Sequence, residues 1–203
     1  MRVPSSRGLP ALLLLGALLV GCGRTNPEER AYVAALVAAR AQKDALFRTE
    51  AGPLPPAARG RFLGLQYFEP DARWMVTATL ERAAVPDTVR FVTSQRTFDT
   101  FLRIGKARFE LEGESLALSV FESLEERHLF LPFTDLTTGK QTYGAGRYLD
   151  PELAAPGTLT LDFNRAYNPY CAYDASWVCP VPPPENHLEI DVRAGERVDR
   201  HGH

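Results

Sequence analysis

The sequence predicts a mainly β fold, an antiparallel barrel or sandwich of about nine strands with one N-terminal helix packed on it. Three observations lead there. From Leu65 onward the chain breaks into short runs rich in Val, Thr, Phe and Leu, punctuated by Gly, Pro and Asp. Only one long helical stretch is present, before residue 50, so nothing could cover both faces of a parallel sheet. Arg108-Phe109-Glu110-Leu111 and Leu116-Ala117-Leu118-Ser119-Val120 alternate apolar and polar on either side of Glu112-Gly113-Glu114, which is a hairpin pattern. With 45% hydrophobic and 24% charged residues, the chain of 203 residues is an ordinary folding sequence, and disorder, collagen and coiled coil are excluded. Its formal charge of -2 supplies no basic field for a phosphate backbone, so no nucleic-acid partner is expected.

The first segment is an address. Arg2 and Arg7 open it, an uncharged leucine-rich run follows from Leu9 to Val20, and Leu19-Val20-Gly21-Cys22 closes it. The apolar run is about 12 residues, too short for the roughly 20 that a spanning helix needs. The pattern resembles a bacterial lipoprotein signal. That resemblance implies cleavage before Cys22, residues 1–21 as signal peptide, a diacylglycerol on the Cys22 sulfur, and a membrane-anchored position in the cell envelope outside the cytoplasm. The alternative is a plain secretory signal with an incidental cysteine. Residues 22–27 are then a tether, residues 28–195 a single globular domain, and residues 196–203 a polar tail. The four residues between Cys22 and Pro27 reach at most roughly 18 Å, so the domain would sit close to the membrane.

Asn26-Pro27-Glu28-Glu29 combines an N-cap, a first-turn proline and two carboxylates at the positive end of a helix dipole, so a helix is expected from there to about Arg48. Val33, Leu36, Val37 and Phe47 supply its apolar stripe. Gly52-Pro53-Leu54-Pro55-Pro56 ends it. Strands are expected at Leu65–Phe68, Trp74–Leu80, Thr88–Thr93, Phe98–Ile104, Arg108–Leu111, Ser115–Phe121, Leu129–Phe133, Thr158–Phe163 and Leu188–Val192.

Residues 143–173 hold five of the seven tyrosines: Tyr143, Tyr148, Tyr167, Tyr170 and Tyr173. Around them stand Asp135, Arg147, Asp162, Asn164, Arg165, Asn168, Glu185 and Asn186, with Gly144 and Gly146 to let the backbone turn. Tyrosine offers apolar area with a hydrogen-bonding tip, and polar groups converging on an aromatic wall suit a ligand pocket. The candidate binding set is Asp135, Tyr143, Arg147, Tyr148, Asp162, Asn164, Tyr167, Glu185 and Asn186, converging at one end of the barrel. The alternative is a hydrogen-bonded structural loop that plugs that end.

Phe133-Thr134-Asp135-Leu136-Thr137-Thr138-Gly139, Thr142-Tyr143-Gly144-Ala145-Gly146-Arg147-Tyr148-Leu149, the run from Leu161 to Tyr173, and Cys179-Pro180-Val181-Pro182-Pro183-Pro184-Glu185-Asn186 together resemble the bacterial domain of unknown function 1684. Lys43-Asp44, Phe47-Arg48 and the run from Phe62 to Phe68 fit the same layout. The resemblance covers nearly all of the mature chain and implies one integrated domain with a shared functional surface, without assigning a reaction. Gln141 stands where many members carry glutamate, a departure from the pattern.

Cys171 and Cys179 are the cysteines left once Cys22 is lipidated, and an even pair outside the cytoplasm suggests a disulfide, which would contribute about 2.5 kcal/mol by loop-closure entropy. The rival, a metal site of Cys171, Cys179 and His187, lacks the short C-x2-4-C spacing of structural zinc. No metal or other cofactor is expected. Enzyme signatures are sparse: no H-E-x-x-H, no second glycine after Gly113-Glu114-Ser115-Leu116, and no third glycine or helix after Gly144-Ala145-Gly146. Asp135, Asp162 and Glu185 remain as catalytic candidates, a carboxylate pair suited to hydrolysis. The reading is a lipid-anchored extracytoplasmic module that binds a small molecule or envelope component. A metal-independent hydrolase is the alternative, and a structural envelope scaffold the third.

Overall fold

The computed structural model describes residues 26–125 and 127–198. The signal segment, Cys22 and most of its tether lie outside the described residues, as do residues 199–203. The chain is mainly β, a curled antiparallel half-barrel with one long N-terminal helix. Helix α1 spans Pro27–Phe47 and a single turn, α2, spans Pro56–Arg59. The strands are β1 (Gln66–Tyr67), β2 (Met75–Val92), β3 (Phe98–Leu111), β4 (Glu114–Ser123), β5 (Leu129–Asp135), β6 (Arg147–Leu149), β7 (Glu152–Ala155), β8 (Thr158–Asp162), β9 (His187–Leu188) and β10 (Glu196–Arg197). The main sheet runs β6-β5-β4-β3-β2-β8-β7, and β9 adds to β5 in parallel. Its outermost strands do not pair with each other, so the barrel stays half open. No helix among the described residues is long and apolar enough to cross a membrane.

The local chemistry explains the elements. Asn26 caps α1 by accepting a hydrogen bond from the Glu28 amide at 3.1 Å. Trp74–Leu80 and Thr88–Thr93, expected as two strands, fall within the single strand β2 except for Trp74, which closes the 3-10 turn before it, and Thr93, which lies just past its end. Between Arg82 and Asp87 the register with β3 jumps, so Ala83 to Pro86 bulge out opposite one residue of β3. Pro86 has no N–H to give the ladder, and the bulge is where none is needed. Phe98–Ile104 and Arg108–Leu111 likewise merge into β3, bent where Gly105 brings its backbone against Glu81 too closely for any side chain.

Alternation along the strands puts apolar side chains on both faces. Inside the curl lie Leu80, Ile104, Ala107, Phe109, Leu118, Val120, Leu131, Phe133, Leu149, Leu159, Leu161 and Phe163. On the other face Phe91, Phe101, Phe121, Phe130, Tyr148 and Cys179 form a second cluster, covered by Tyr167, Tyr170 and Cys171. A barrel open to water on one face could not carry this second aromatic layer, so the tyrosine-rich segment is its lid.

Three expectations change. Val37, assigned to the buried stripe of α1, is 52% exposed, whereas Leu36 and Phe47 are buried. Strands β6, β7 and β10 lie where loops were expected. The polar tail does not begin at residue 196: Glu196 is 1% exposed, and β10 pairs with β1 in the register Gln66 with Arg197 and Tyr67 with Glu196.

Candidate functional site

Asp135 and Arg147 meet as expected, but not in a pocket. The guanidinium Nη2 donates to Asp135 Oδ2 at 2.8 Å, and the two side chains are 0% and 1% exposed. Nη2 also donates to the Val192 carbonyl at 2.9 Å, and Nη1 to the carbonyls of Ala194 and Glu196. Burial pulls the Arg147 pKa down, opposed by the adjacent Asp135 charge. Asp135 Oδ1 accepts from the Thr137 amide at 2.7 Å and its hydroxyl at 2.5 Å. This is a staple that fastens residues 192–196 to strands β5 and β6.

The other expected site residues are spread out. Asp162 ends β8, where its Oδ1 accepts from the Tyr32 hydroxyl at 2.8 Å and the Asn164 amide at 3.1 Å, and its Oδ2 pairs with Arg165. Asn164 exchanges hydrogen bonds with the Asp71 backbone. Glu185 is exposed at the opposite margin and pairs with Arg103 at 3.3 Å, while Asn186 is fully buried and bridges Ser119 and Pro132 backbones. Tyr148 donates to the Pro180 carbonyl at 2.5 Å. Tyr143 donates to the Cys171 sulfur at 3.9 Å, and burial followed by the nearby Cys171 pushes its pKa up to about 12. The single pocket uniting these residues is therefore not formed, because most of them satisfy backbone groups of the covering segment. The carboxylate pair of a hydrolase is not formed either: Asp135 is sealed in an ion pair, Asp162 holds a turn, and Glu185 stands on the surface.

What the structure assembles instead is a cleft of about 370 Å³ beneath α1, lined by Leu36, Arg40, Lys43, Tyr67, Tyr167 and Glu196, with Asp150, Glu152, Asn164 and Arg165 at its rim. Of the expected residues, Asn164 and Tyr167 are here. Lys43 pairs with Glu196 at 2.5 Å and lies 4.8 Å from the Tyr167 ring centre. Glu196 Oε2 accepts from the Asn168 amide and the Tyr173 hydroxyl, both at 2.8 Å. Arg40 stacks over the Tyr67 ring at 4.3 Å and donates to the Phe68 and Asn164 carbonyls. Tyr167 donates to Asp150 at 3.1 Å, and burial, then Asp150, raises its pKa. Burial, then the nearby Glu196, raises the Tyr67 pKa, and Arg40 Nε is buried without a hydrogen-bond partner. Arg40, Lys43, Tyr67 and Glu196 were not expected as site residues, although Lys43 and Tyr67 fall in the runs that fit the family layout. Their signal was there: Leu36, Arg40, Lys43 and Phe47 follow helical spacing, so two cations share the buried face of α1.

A larger groove of about 870 Å³ lies near the start of α1, where Arg73 pairs with Asp71 and Glu112, Arg193 pairs with Asp191, and Arg197 lies over the Phe68 ring at 5.4 Å. Among the described residues no three His, Cys, Asp or Glu side chains are grouped to hold a metal ion. Cys171 and Cys179, expected to form a disulfide, stand as free thiols side by side.

A comparison with curated proteins found no match. Among solved structures, the chain is similar to the solution NMR structure of an uncharacterized protein of Haloarcula marismortui, with 40% identity, 86% of this chain and 98% of that chain covered, and a TM-score of 0.67. The model of a protein family of unknown function, DUF1684, matches residues 60–197, a span that holds the half-barrel, its lid and the Arg147 staple. The chain belongs to the DUF1684 family.

Proposed function

We propose that the protein is a lipid-anchored module of the cell envelope that binds a small polar molecule in the cleft beneath α1. The cleft carries the reading: at about 370 Å³ it falls within the range of small-molecule sites, and two tyrosines flank it. Its lining sets Arg40, Lys43 and Arg165 against Asp150, Glu152 and Glu196, so a ligand bearing both an ammonium and a carboxylate matches both signs by exchanging with the Lys43–Glu196 and Arg165–Asp162 pairs. Hydrolysis by Asp135, Asp162 or Glu185 loses support, because each is committed to the partners described above.

The experiment is an amide NMR titration of the mature protein with a free zwitterionic dipeptide, against the same dipeptide blocked at both ends. Saturable shifts at Arg40, Lys43, Tyr67 and Tyr167 with the free form, weakened by blocking, are expected. Shifts that do not saturate, or that map away from α1, would overturn the cleft.

A further inference from the structure

We propose that Cys171 and Cys179, outside the cleft beneath α1, form a thiol pair that exchanges with an external disulfide, Cys171 attacking and Cys179 resolving. The two cysteines close a short loop at the edge of the second aromatic cluster. Cys179 is 6% exposed and held in place: its amide donates to Ser94 Oγ at 3.1 Å, and its carbonyl accepts from the Ser94 amide at 2.8 Å. Cys171 is half-buried, at the open side of the pair, in the single 3-10 turn Tyr170–Ala172. Its backbone amide points at the Cys179 sulfur at 3.1 Å.

The environment divides the roles. Cys171 is the more open of the two and accepts from the Tyr143 hydroxyl at 3.9 Å, and the adjacent Cys179 thiol, then Tyr143, lower its pKa to about 6 against the opposing effect of burial. The adjacent Cys171 sulfur, followed by burial, pushes Cys179 up, against the opposing effect of the Cys171 amide. Cys171 is thus the thiolate that an approaching disulfide would meet, and Cys179 the protonated partner behind it. The titratable groups facing the pair are the phenols Tyr143 and Tyr148, both raised by burial and so neutral through the range in which Cys171 ionises.

The exchange balances without any group from elsewhere in the chain. The Cys171 thiolate attacks one sulfur of a disulfide RS–SR′, forming Cys171–S–SR and releasing R′S⁻. Cys179 loses its proton to solvent or to that thiolate, attacks the Cys171 sulfur and expels RS⁻. Two protein thiols are oxidised, and one external disulfide is reduced to two thiols. The loop so closed carries Tyr173, which donates to Glu196, and Trp177, whose indole donates to the Pro53 carbonyl at 3.0 Å.

The test uses the reduced mature protein and glutathione disulfide, read by mass spectrometry. The wild type should lose two hydrogens across residues 171–179 without keeping glutathione. Cys179→Ser should accumulate a glutathione adduct on Cys171, whereas Cys171→Ser should leave Cys179 unmodified over the same period. Equal adduct formation on either cysteine, or a wild type whose thiols both stay alkylatable, would overturn the proposal. Should a serine variant fail to fold, the wild type still decides: Cys171 alkylation should reach half its maximal rate near pH 6, and a midpoint at the ordinary thiol value of about 8.5 overturns the assignment.

Discussion

The guanidinium of Arg147 and the carboxylate of Asp135 form an ion pair at 2.8 Å with neither side chain reaching solvent. Breaking such a pair from one side leaves a bare charge in the interior, which is a far larger cost than losing a surface bridge.

Arg147→Ala should therefore destabilise the domain by about 3–5 kcal/mol. It also frees the carbonyls of Val192, Ala194 and Glu196 from their donor. Urea denaturation measures the loss. A change below about 1 kcal/mol would show that the pair is not the staple described.

Alkaline pH should unfold the protein cooperatively. Burial raises the pKa of Tyr32, Tyr67, Tyr148, Tyr167 and Tyr173 in the folded state. A group raised on folding contributes stability that is complete below its unfolded pKa, about 10 for tyrosine, and is lost as pH climbs from there toward the folded value. Absorbance at 295 nm and far-UV circular dichroism should change together above about pH 10. Tyrosinate appearing there with the sheet signal intact would contradict the burial of these rings.

Gly195→Ala should cost at least twice as much as Gly157→Ala. Both glycines have positive φ, at 75° and 77°, so both substitutions carry the backbone strain of about 1–2 kcal/mol. A β-carbon at Gly157 meets open space, whereas at Gly195 it collides with the Ala166 carbonyl. Equal melting temperatures for the two variants would refute the difference.

Cys22→Ala should leave the protein unlipidated and shift it from the membrane to the soluble fraction, because the leucine-rich run of about 12 residues cannot hold it in a bilayer. Palmitate labelling and fractionation read this directly. An unchanged distribution would remove the lipid anchor from the proposed function.

Much of the fold was legible because its signals are local. The Asn26 cap, the breakers after Phe47 and the alternation around Gly113 each act within a few residues. The merged strand β2 was not, since Pro86 looks like a terminator until a bulge accommodates it. Strands β6 and β7 are short, and Arg147 sits in β6 as a polar residue on a buried face, which no alternation rule anticipates. The candidate site failed for a related reason. Sequence shows that tyrosines, carboxylates and arginine are concentrated at residues 135–186, but the same composition serves a lined pocket and a bonded lid. Only the partners distinguish them: Arg147 turns to backbone carbonyls, Asn186 to Ser119 and Pro132. The cleft needed contacts between Lys43 and Glu196, 153 residues apart, and separation of that kind leaves no trace in local pattern.

Because Glu196 is the residue that receives Lys43, and β10 is the strand that receives β1, the seat of the first helix is completed by the last residues of the domain. A chain emerging in order from a ribosome or a secretion channel would complete the packing of α1 only once residue 196 has emerged. The finished domain is then closed in a late step, when residues 192–196 come down over Arg147.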